Sequence, residues 1–186
     1  MFRVTEFRST VAGLALAFAL TVLAADTNID AKTSRITATF RQEGVSVDAE
    51  FTRFSGHIVY DAGNVTASSA VLEVETGSFD IGDAEYNAEV RKKEWFDSSA
   101  FPRATFRSTA IRPGSAGKFD ATGTLNLKGK ALVITVPISV QAVTGGSAFD
   151  GSFVISRKAF GIGAPMWDGV LDDKVSVRFR LVSSGR

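Results

Sequence analysis

The stretch FDATGTLNLKGKALVITVPISV, residues 119–140, decides the fold because apolar and polar residues alternate along both of its halves. Alternation with a period of two puts successive side chains on opposite faces of a β-strand. The turn signal Lys128-Gly129-Lys130 separates the halves and predicts a β-hairpin. Pro137 lies on the face opposite to the apolar residues of the second half. A proline within a strand predicts an edge position or a bulge, because it has no N–H to donate to the ladder. The two apolar faces are Phe119, Ala121, Gly123, Leu125 and Leu127, then Leu132, Ile134, Val136, Ile138 and Val140.

Similar alternating segments occur on both sides of this hairpin. Residues 36–40, 51–60, 149–155 and 175–181 each place apolar side chains on one face, and Gly, Asp, Asn and Ser signals separate them. The pattern predicts seven or eight antiparallel strands in a sandwich or a barrel. Gly123 and Gly151 at inward positions, together with fifteen phenylalanines, favour the barrel.

One helix interrupts the strands, and an aromatic junction follows it. Residues 84–93 are good helix formers, with Asp83 as the N-cap and Glu85 in the first turn. The next residues, 95–106, read WFDSSAFPRATF, which is unusually aromatic for a connection. These rings either close the barrel as a plug or line an internal tunnel, and a single cluster can do both.

The first 24 residues are typical of a secretory signal peptide. Arg3 and Arg8 form a basic head, residues 11–20 are apolar, and Ala24 and Ala25 allow cleavage after either residue. The apolar run is shorter than a membrane span requires. We therefore expect residues 25–186 to form a single periplasmic domain that does not span a membrane after the signal is removed.

The composition excludes several classes of function. The chain has no cysteine, which rules out disulfides, thiol catalysis and thiolate metal sites. Basic and acidic residues balance once the signal is removed, so no nucleic-acid partner is expected. His57 is the single histidine, and no nucleophile motif accompanies it. We expect no catalytic residues, no metal ligands and no enzyme activity.

Six segments, in order, carry a resemblance to a known family. The chain resembles the YceI-like family of exported polyisoprenoid-binding proteins. The resemblance implies an eight-stranded, lipocalin-like antiparallel β-barrel that encloses the tail of an isoprenoid lipid, such as an isoprenoid quinone or a polyprenyl phosphate. The segments are FTRFSGHIVYD (51–61), SFDIGDAEYNAEVRKKEWFD (78–97), FPRATFRST (101–109), GTLNLKGK (123–130), SRKAFGIG (156–163) and DDKVSVRFRL (172–181).

With a lipid as the expected ligand and no cofactor besides it, the basic runs and the apolar faces supply the candidate contact residues. Arg91, Lys92 and Arg157 are candidates for contact with the headgroup, although basic runs usually mark a solvated helix face or strand end. The candidates for the apolar tunnel wall are Phe40, Phe54, Phe79, Trp95, Phe96, Phe101, Phe106, Leu125, Ile134, Val136, Phe153, Phe160, Trp167 and Phe179.

Two other functions remain open at this stage. The inward apolar faces could simply fill the barrel, because alternating strands need no ligand to explain them. The chain would then be an interaction module, with a membrane redox protein as a possible partner. A weaker alternative is an enzyme that uses His57. The sequence leaves open whether the protein is a monomer or a dimer.

Overall fold

A single antiparallel sheet of eleven strands dominates the computed structural model, which describes residues 25–115 and 118–184. The predicted signal peptide, residues 1–24, lies outside the described residues. The strands run in the spatial order β1-β4-β5-β7-β8-β9-β10-β11-β2-β3-β6. The elements are β1 Ala25–Asn28, β2 Arg35–Gln42, β3 Val45–Phe51, β4 Phe54–Tyr60, β5 Ser69–Glu75, β6 Phe79–Asp80, α1 Ala84–Val90, β7 Arg103–Pro113, β8 Phe119–Leu127, β9 Lys130–Val143, β10 Gly146–Ser156 and β11 Lys174–Ser184.

The sheet curls until the chain just after β1 meets β11, the last strand in the sequence. A bridge joins Ile29 to Ser183, and the Asp30 N–H donates to the Val182 carbonyl at 2.8 Å. The mainly β fold with one α-helix is as predicted, but there are three more strands than expected. Two of the additional strands, β1 and β6, have only four and two residues, which is too short to show an alternating pattern.

The hairpin predicted at residues 119–140 is confirmed. β8 and β9 pair from Phe119↔Ile138 down to Leu127↔Lys130, which leaves a two-residue turn. Lys128 and Gly129 both have positive φ, 48° and 72°. A turn of this kind matches the twist of the two strands and favours glycine.

Two predicted elements differ in extent from what the sequence indicated. The run 51–60 is interrupted by Thr52 and Arg53, so it contributes to both β3 and β4. Helix α1 stops at Val90 rather than residue 93, although Asp83 caps it as predicted by accepting from the N–H groups of residues 85 and 86. The chain turns there because Phe96, only 9% exposed, enters the core and its N–H donates to the Val90 carbonyl.

Two apolar clusters occupy the interior of the curled sheet. The first is built around Phe79, Phe96 and Phe160, and the second around Ile58 and Phe149. The predicted inward residues of β2 take part, since Ile36 and Ala38 are each 4% exposed. Among the residues described, no helix has the length and hydropathy to cross a bilayer.

Candidate ligand-binding cavity

The curled sheet encloses a cavity of about 320 Å³. Inward side chains from β2, β4, β5, β7, β8, β9, β10 and β11 form its wall, and nearly all of them are aliphatic or aromatic. Small-molecule sites typically measure about 300–1,000 Å³ and have this apolar character. The barrel is therefore not filled by its own side chains, which argues against the self-filled interaction module.

Most of the predicted tunnel residues lie on this wall. They come from β2, β6, β7, β8, β9, β10 and β11, and from the aromatic segments that follow α1 and β10. Their position agrees with the prediction, while contact with a lipid stays a prediction. The predicted residues on the wall are Phe40, Phe79, Trp95, Phe96, Phe106, Leu125, Ile134, Val136, Phe153, Trp167 and Phe179.

Three predicted residues do not line the cavity. Phe54 packs against the cluster around Ile58 and Phe149. The ring of Phe101 lies over the hairpin turn, 2.8 Å from where a Cβ on Gly129 would be. Phe160 is 1% exposed and belongs to the packed core beside the cavity. The sequence pattern could not separate these three residues from those on the cavity wall, because their side chains are also apolar.

Two glycines are needed for the cavity wall to have its shape. A Cβ on Gly123 would lie 2.5 Å from the Phe106 ring and from the Arg107 carbonyl oxygen. A Cβ on Gly151 would lie 2.4 Å from the Phe179 ring. Each glycine therefore leaves room for a phenyl ring to lie across its strand. This is the physical reason for glycine at two positions where the pattern calls for an apolar side chain.

One end of the cavity is covered by residues 157–173, which we call the cap. Trp167 of the cap packs against Trp95, with ring centroids 5.4 Å apart. The Gly163 N–H donates to the Glu94 carbonyl at 2.8 Å, which ties the cap to the segment after α1. The aromatic junction at residues 95–106 thus contributes both to closure and to the cavity wall, through Trp95, Phe96 and Phe106.

Arg157 holds the cap in shape. It is 4% exposed, and its guanidinium donates to the carbonyls of Ile162, Leu171 and Asp172 and to the Asp168 carboxylate at 3.0–3.1 Å. A hydrogen bond from Lys158, followed by the bond from Arg157, lowers the pKa of Asp168. Arg157 also lines the cavity, and four of its five N–H groups donate to these acceptors, so its predicted contact with a headgroup stays a prediction.

The other two headgroup candidates lie just after α1. Arg91 and Lys92 are exposed and are not part of the cavity wall. Lys92 donates to the Glu89 carboxylate at 2.5 Å, which raises the pKa of Lys92 and lowers the pKa of Glu89. This arrangement is typical of a solvated helix face, the alternative interpretation of the basic run.

The sequence analysis missed the polar groups that border the cavity near α1. Glu89 and the exposed Tyr86 line it there, beside Trp95. The Trp95 Nε1 atom is buried and has no hydrogen-bond partner among the described residues. It lies near Glu89 and contributes, after the hydrogen bond from Lys92, to the lowered pKa of Glu89, but the two side chains do not meet the geometry of a hydrogen bond. Only the fold brings these groups together, and no sequence signal singled them out.

Comparison with known proteins agrees with this architecture. A model of the YceI-like domain matches residues 28–183. The chain belongs to the YceI-like family. The resemblance seen in the sequence is therefore confirmed, and it covers most of the chain. The predicted lipocalin-like fold class is confirmed as well.

Relatives of this YceI-like chain are found in several bacteria. A UPF0312 protein of Vibrio cholerae serotype O1 is 32% identical over 148 residues, which cover 75% of this chain and 78% of the relative. The crystal structure of Burkholderia cenocepacia BcnA is 36% identical, with a TM-score of 0.81, over 84% of this chain and 99% of that one.

A third match concerns a structure of a polyisoprenoid binding domain from Saccharophagus degradans, implicated in plant cell wall breakdown. It has a TM-score of 0.70 and 20% identity, over 88% of this chain and 99% of that chain. At this level of identity, the similarity demonstrates a shared fold.

Proposed function

We propose that this YceI-like chain binds an isoprenoid lipid in its cavity and acts in the periplasm as a carrier or reservoir without turnover. The observation that carries the proposal is the apolar cavity of about 320 Å³ inside the sheet. Burial of apolar surface contributes roughly 25 cal/mol per Å², so a hydrocarbon tail gains affinity without specific polar contacts. The shared fold with a structure described as a polyisoprenoid binding domain supports this ligand class.

The polar groups near α1 favour a neutral headgroup. The buried Trp95 Nε1 has no hydrogen-bond partner among the described residues, and a buried donor gains free energy when it finds an acceptor. The lowered pKa of Glu89 keeps a negative charge beside this donor, and Lys92 already pairs with it. A quinone carbonyl can accept from the indole without bringing a second negative charge next to Glu89. We therefore place isoprenoid quinones ahead of polyprenyl phosphates.

Lipid extraction is the direct test of binding. The purified protein is extracted with organic solvent, the extract is examined by mass spectrometry, and the stripped protein is offered an isoprenoid quinone and a polyprenyl phosphate. We expect a co-purified isoprenoid or uptake of the added quinone. A protein that is empty and also takes up neither lipid would refute the proposal.

A cavity-filling variant shows whether uptake takes place inside the barrel. Ala121 is fully buried on the cavity wall, so Ala121→Phe should abolish most quinone uptake. The matched control is Ala62→Phe, which adds the same ring in an exposed loop and should bind as the parent does. Circular dichroism and a melting curve check that both variants are folded. Equal uptake by a folded Ala121→Phe variant would place the lipid elsewhere.

Removal of a single N–H group tests the headgroup assignment. Trp95→Phe keeps an aromatic ring in the wall and loses the donor, so quinone affinity should fall about tenfold, as expected for one lost hydrogen bond of about 1.4 kcal/mol. Polyprenyl phosphate affinity should hardly change. Trp167→Phe is the control, because it alters the neighbouring ring in the same way. An equal loss for both lipids would contradict a role for the indole donor.

The location of the protein is tested through its N-terminus. If residues 1–24 direct export, the protein recovered from the periplasm should begin at Ala25 or Asp26, according to the cleavage site used. Intact mass spectrometry distinguishes these two products from the uncleaved chain. Recovery of only the uncleaved chain from the cytoplasm would exclude the proposed location.

A further inference from the structure

A second groove lies on the outer surface of the cap, and none of its lining residues belongs to the wall of the cavity. Three segments of the chain meet there: the residues after α1, the turn of the β8–β9 hairpin and the cap itself. We call it the outer groove. It is lined by Lys93, Glu94, Lys128, Lys158, Gly161, Gly163, Ala164, Pro165 and Asp168.

The hairpin turn brings two lysines to the outer groove. Lys128 Nζ donates to the Gly161 carbonyl at 2.7 Å, and Lys130 Nζ donates to the Ala159 carbonyl at 2.9 Å. An ammonium group has three N–H donors, so the bond that each lysine gives to the cap leaves others for a ligand. Partial burial lowers the pKa of Lys128, so its charged form gains from a nearby anion.

Most of the positive charge at the outer groove is not paired with a carboxylate. Lys158 pairs with Asp168 at 2.9 Å. The carboxylates of Asp97 and Glu94 act on Lys128, but from beyond the distance of an ion pair. Three of the four lysines therefore form no ion pair with a described residue, namely Lys93, Lys128 and Lys130.

An exposed apolar side chain lies beside these charges. Met166 is 80% exposed, and in the chain it lies between Pro165 and Asp168, which both line the outer groove. The next residue, Trp167, lines the cavity and packs against Trp95. A highly exposed apolar side chain and a residue of the cavity wall are thus consecutive in the cap.

We infer that the cap docks on an anionic lipid bilayer, with Met166 inserted below the headgroups and the lysines of the outer groove bound to lipid phosphates. A single exposed apolar side chain is common on a protein surface, but this one adjoins unpaired ammonium groups. Inserted apolar side chains and lysines together are the means by which proteins bind to a membrane surface. The inference extends the proposed function, because a carrier must exchange its lipid with a bilayer.

Vesicle flotation tests the docking without any quinone. The purified protein is mixed with vesicles of phosphatidylcholine and phosphatidylglycerol, or with vesicles of phosphatidylcholine alone. We expect binding to the anionic vesicles that weakens as salt is added, and much less binding to the neutral vesicles. Equal binding to both would overturn the inference. Binding to neither would overturn it too, and would leave an acidic protein surface as the partner for the lysines.

Removal of charge locates the docking surface. A lysine near an anionic membrane contributes about a fivefold gain in affinity, so Lys93→Gln should weaken binding about fivefold and Lys93→Gln with Lys128→Gln on the order of thirtyfold. The matched control is Arg112→Gln with Lys118→Gln, which removes two exposed charges near the other end of β8, about 30 Å away. It should bind as the parent does. An equal loss in the control would show that overall charge, rather than the outer groove, attracts the vesicles.

Met166 is tested by replacement and by labelling. Met166→Ser should weaken binding roughly tenfold, whereas Met166→Leu should retain it because the side chain stays apolar. The chain has no cysteine, so Met166→Cys carries an environment-sensitive dye at one site. Its emission should shift to the blue with anionic vesicles. A dye on Ala62→Cys, in the exposed loop after β4 at the far end of the barrel, should not shift. A shift at Ala62 alone would place the opposite end on the membrane.

Quinone exchange separates a failure of docking from a failure of the proposed function. Uptake from detergent solution needs no bilayer, so the variant with Lys93→Gln and Lys128→Gln should take up quinone there as the parent does. Its uptake from anionic vesicles should be on the order of tenfold slower, and melting curves check that it is folded. Unchanged uptake from vesicles would refute the docking alone. No uptake by the parent from either source would refute the proposed function.

Discussion

The cap borders the same cavity as the stretch where residues 130–137 of β9 and residues 152–156 of β10 do not pair with each other, which we call the window. The two are built in opposite ways. In the cap, Arg157 satisfies three carbonyls and one carboxylate, and Trp167 packs against Trp95. At the window, the two described strand segments do not pair with each other, and Val133 and Val154 on them are exposed. In the cap, side-chain hydrogen bonds from Arg157 take the place of the backbone ladder that holds the strands.

The largest difference between the cap and the window is expected when one phenylalanine in each is replaced by alanine. Phe160 in the cap is 1% exposed and packed in the core, so Phe160→Ala should lower the free energy of unfolding by about 3–5 kcal/mol. Phe153 is partly exposed at the window, and Phe153→Ala should cost about 1–2 kcal/mol. Urea denaturation gives both values. Equal losses would show that the window is packed as firmly as the cap.

Breaking the hydrogen bonds of the cap should have the next largest effect. Arg157→Met keeps much of the apolar stem but leaves the carbonyls of Ile162 and Leu171 without their donor. Unpaired buried carbonyls cost about 1–3 kcal/mol, so we expect a loss of about 2–3 kcal/mol in urea denaturation. Arg157→Lys should recover part of it, because the ammonium keeps the charge but not the planar fork. An Arg157→Met variant with the same free energy of unfolding as the parent would mean that the cap is held by packing alone.

A single methyl group on the cavity wall should have a smaller effect. In Gly151→Ala the new Cβ would meet the Phe179 ring at 2.4 Å, so the ring must shift into the cavity. We expect a loss of about 1–3 kcal/mol and weaker quinone binding. Gly63→Ala is the control: its Cβ would meet only the Asp61 carboxylate at 3.4 Å, so its stability should change by less than about 0.5 kcal/mol.

The smallest expected effect is a pH dependence confined to the cap. The pKa of Asp168 is lowered, first by the hydrogen bond from Lys158, and the pKa of Asp173 is lowered, first by the hydrogen bond from the Ser156 hydroxyl. As the pH falls, these two carboxylates therefore become protonated at a higher pH in the unfolded chain than in the folded chain. The stabilisation is fully present above the unfolded pKa values, near 4, and is lost as the pH falls through the folded values.

Comparison of Asp168→Asn with the parent checks this sign. The variant should be slightly less stable at pH 7, and the difference should shrink at about pH 3 and below. Thermal denaturation at both pH values measures it. A difference that grows on acidification would contradict the assignment of Asp168 as a charged partner of Lys158 and Arg157.

Local pattern predicted the fold well where strands are long. The alternation over residues 119–140 and the turn at Lys128 and Gly129 specified a hairpin that the structure contains. The same reasoning gave too few strands, because β6 has only two residues. It also made α1 too long, because the helix ends where Phe96 must reach the core, and that is a tertiary contact.

The candidate site was predicted in kind but not in detail. Alternation identifies inward residues, yet it cannot separate Phe153 on the cavity wall from Phe160 in the packed core, since both are apolar. The role of Arg157 depends on acceptors up to fifteen positions away along the chain. The sequence pattern could not predict that the Trp95 N–H lacks a partner among the described residues, or where the β9–β10 ladder stops. Both depend on residues that are distant in the sequence.

The sequence by itself determined the family, the antiparallel strands and the apolar character of the interior, because each follows from residue order and a period of two. The tertiary structure decided that the interior keeps a cavity, that the cap closes one end, and that β9 and β10 separate beside it. These features depend on how far the sheet curls and where its ladders stop. Ladder pairing joins residues distant in the chain, so its limits appear only once the fold has brought them together.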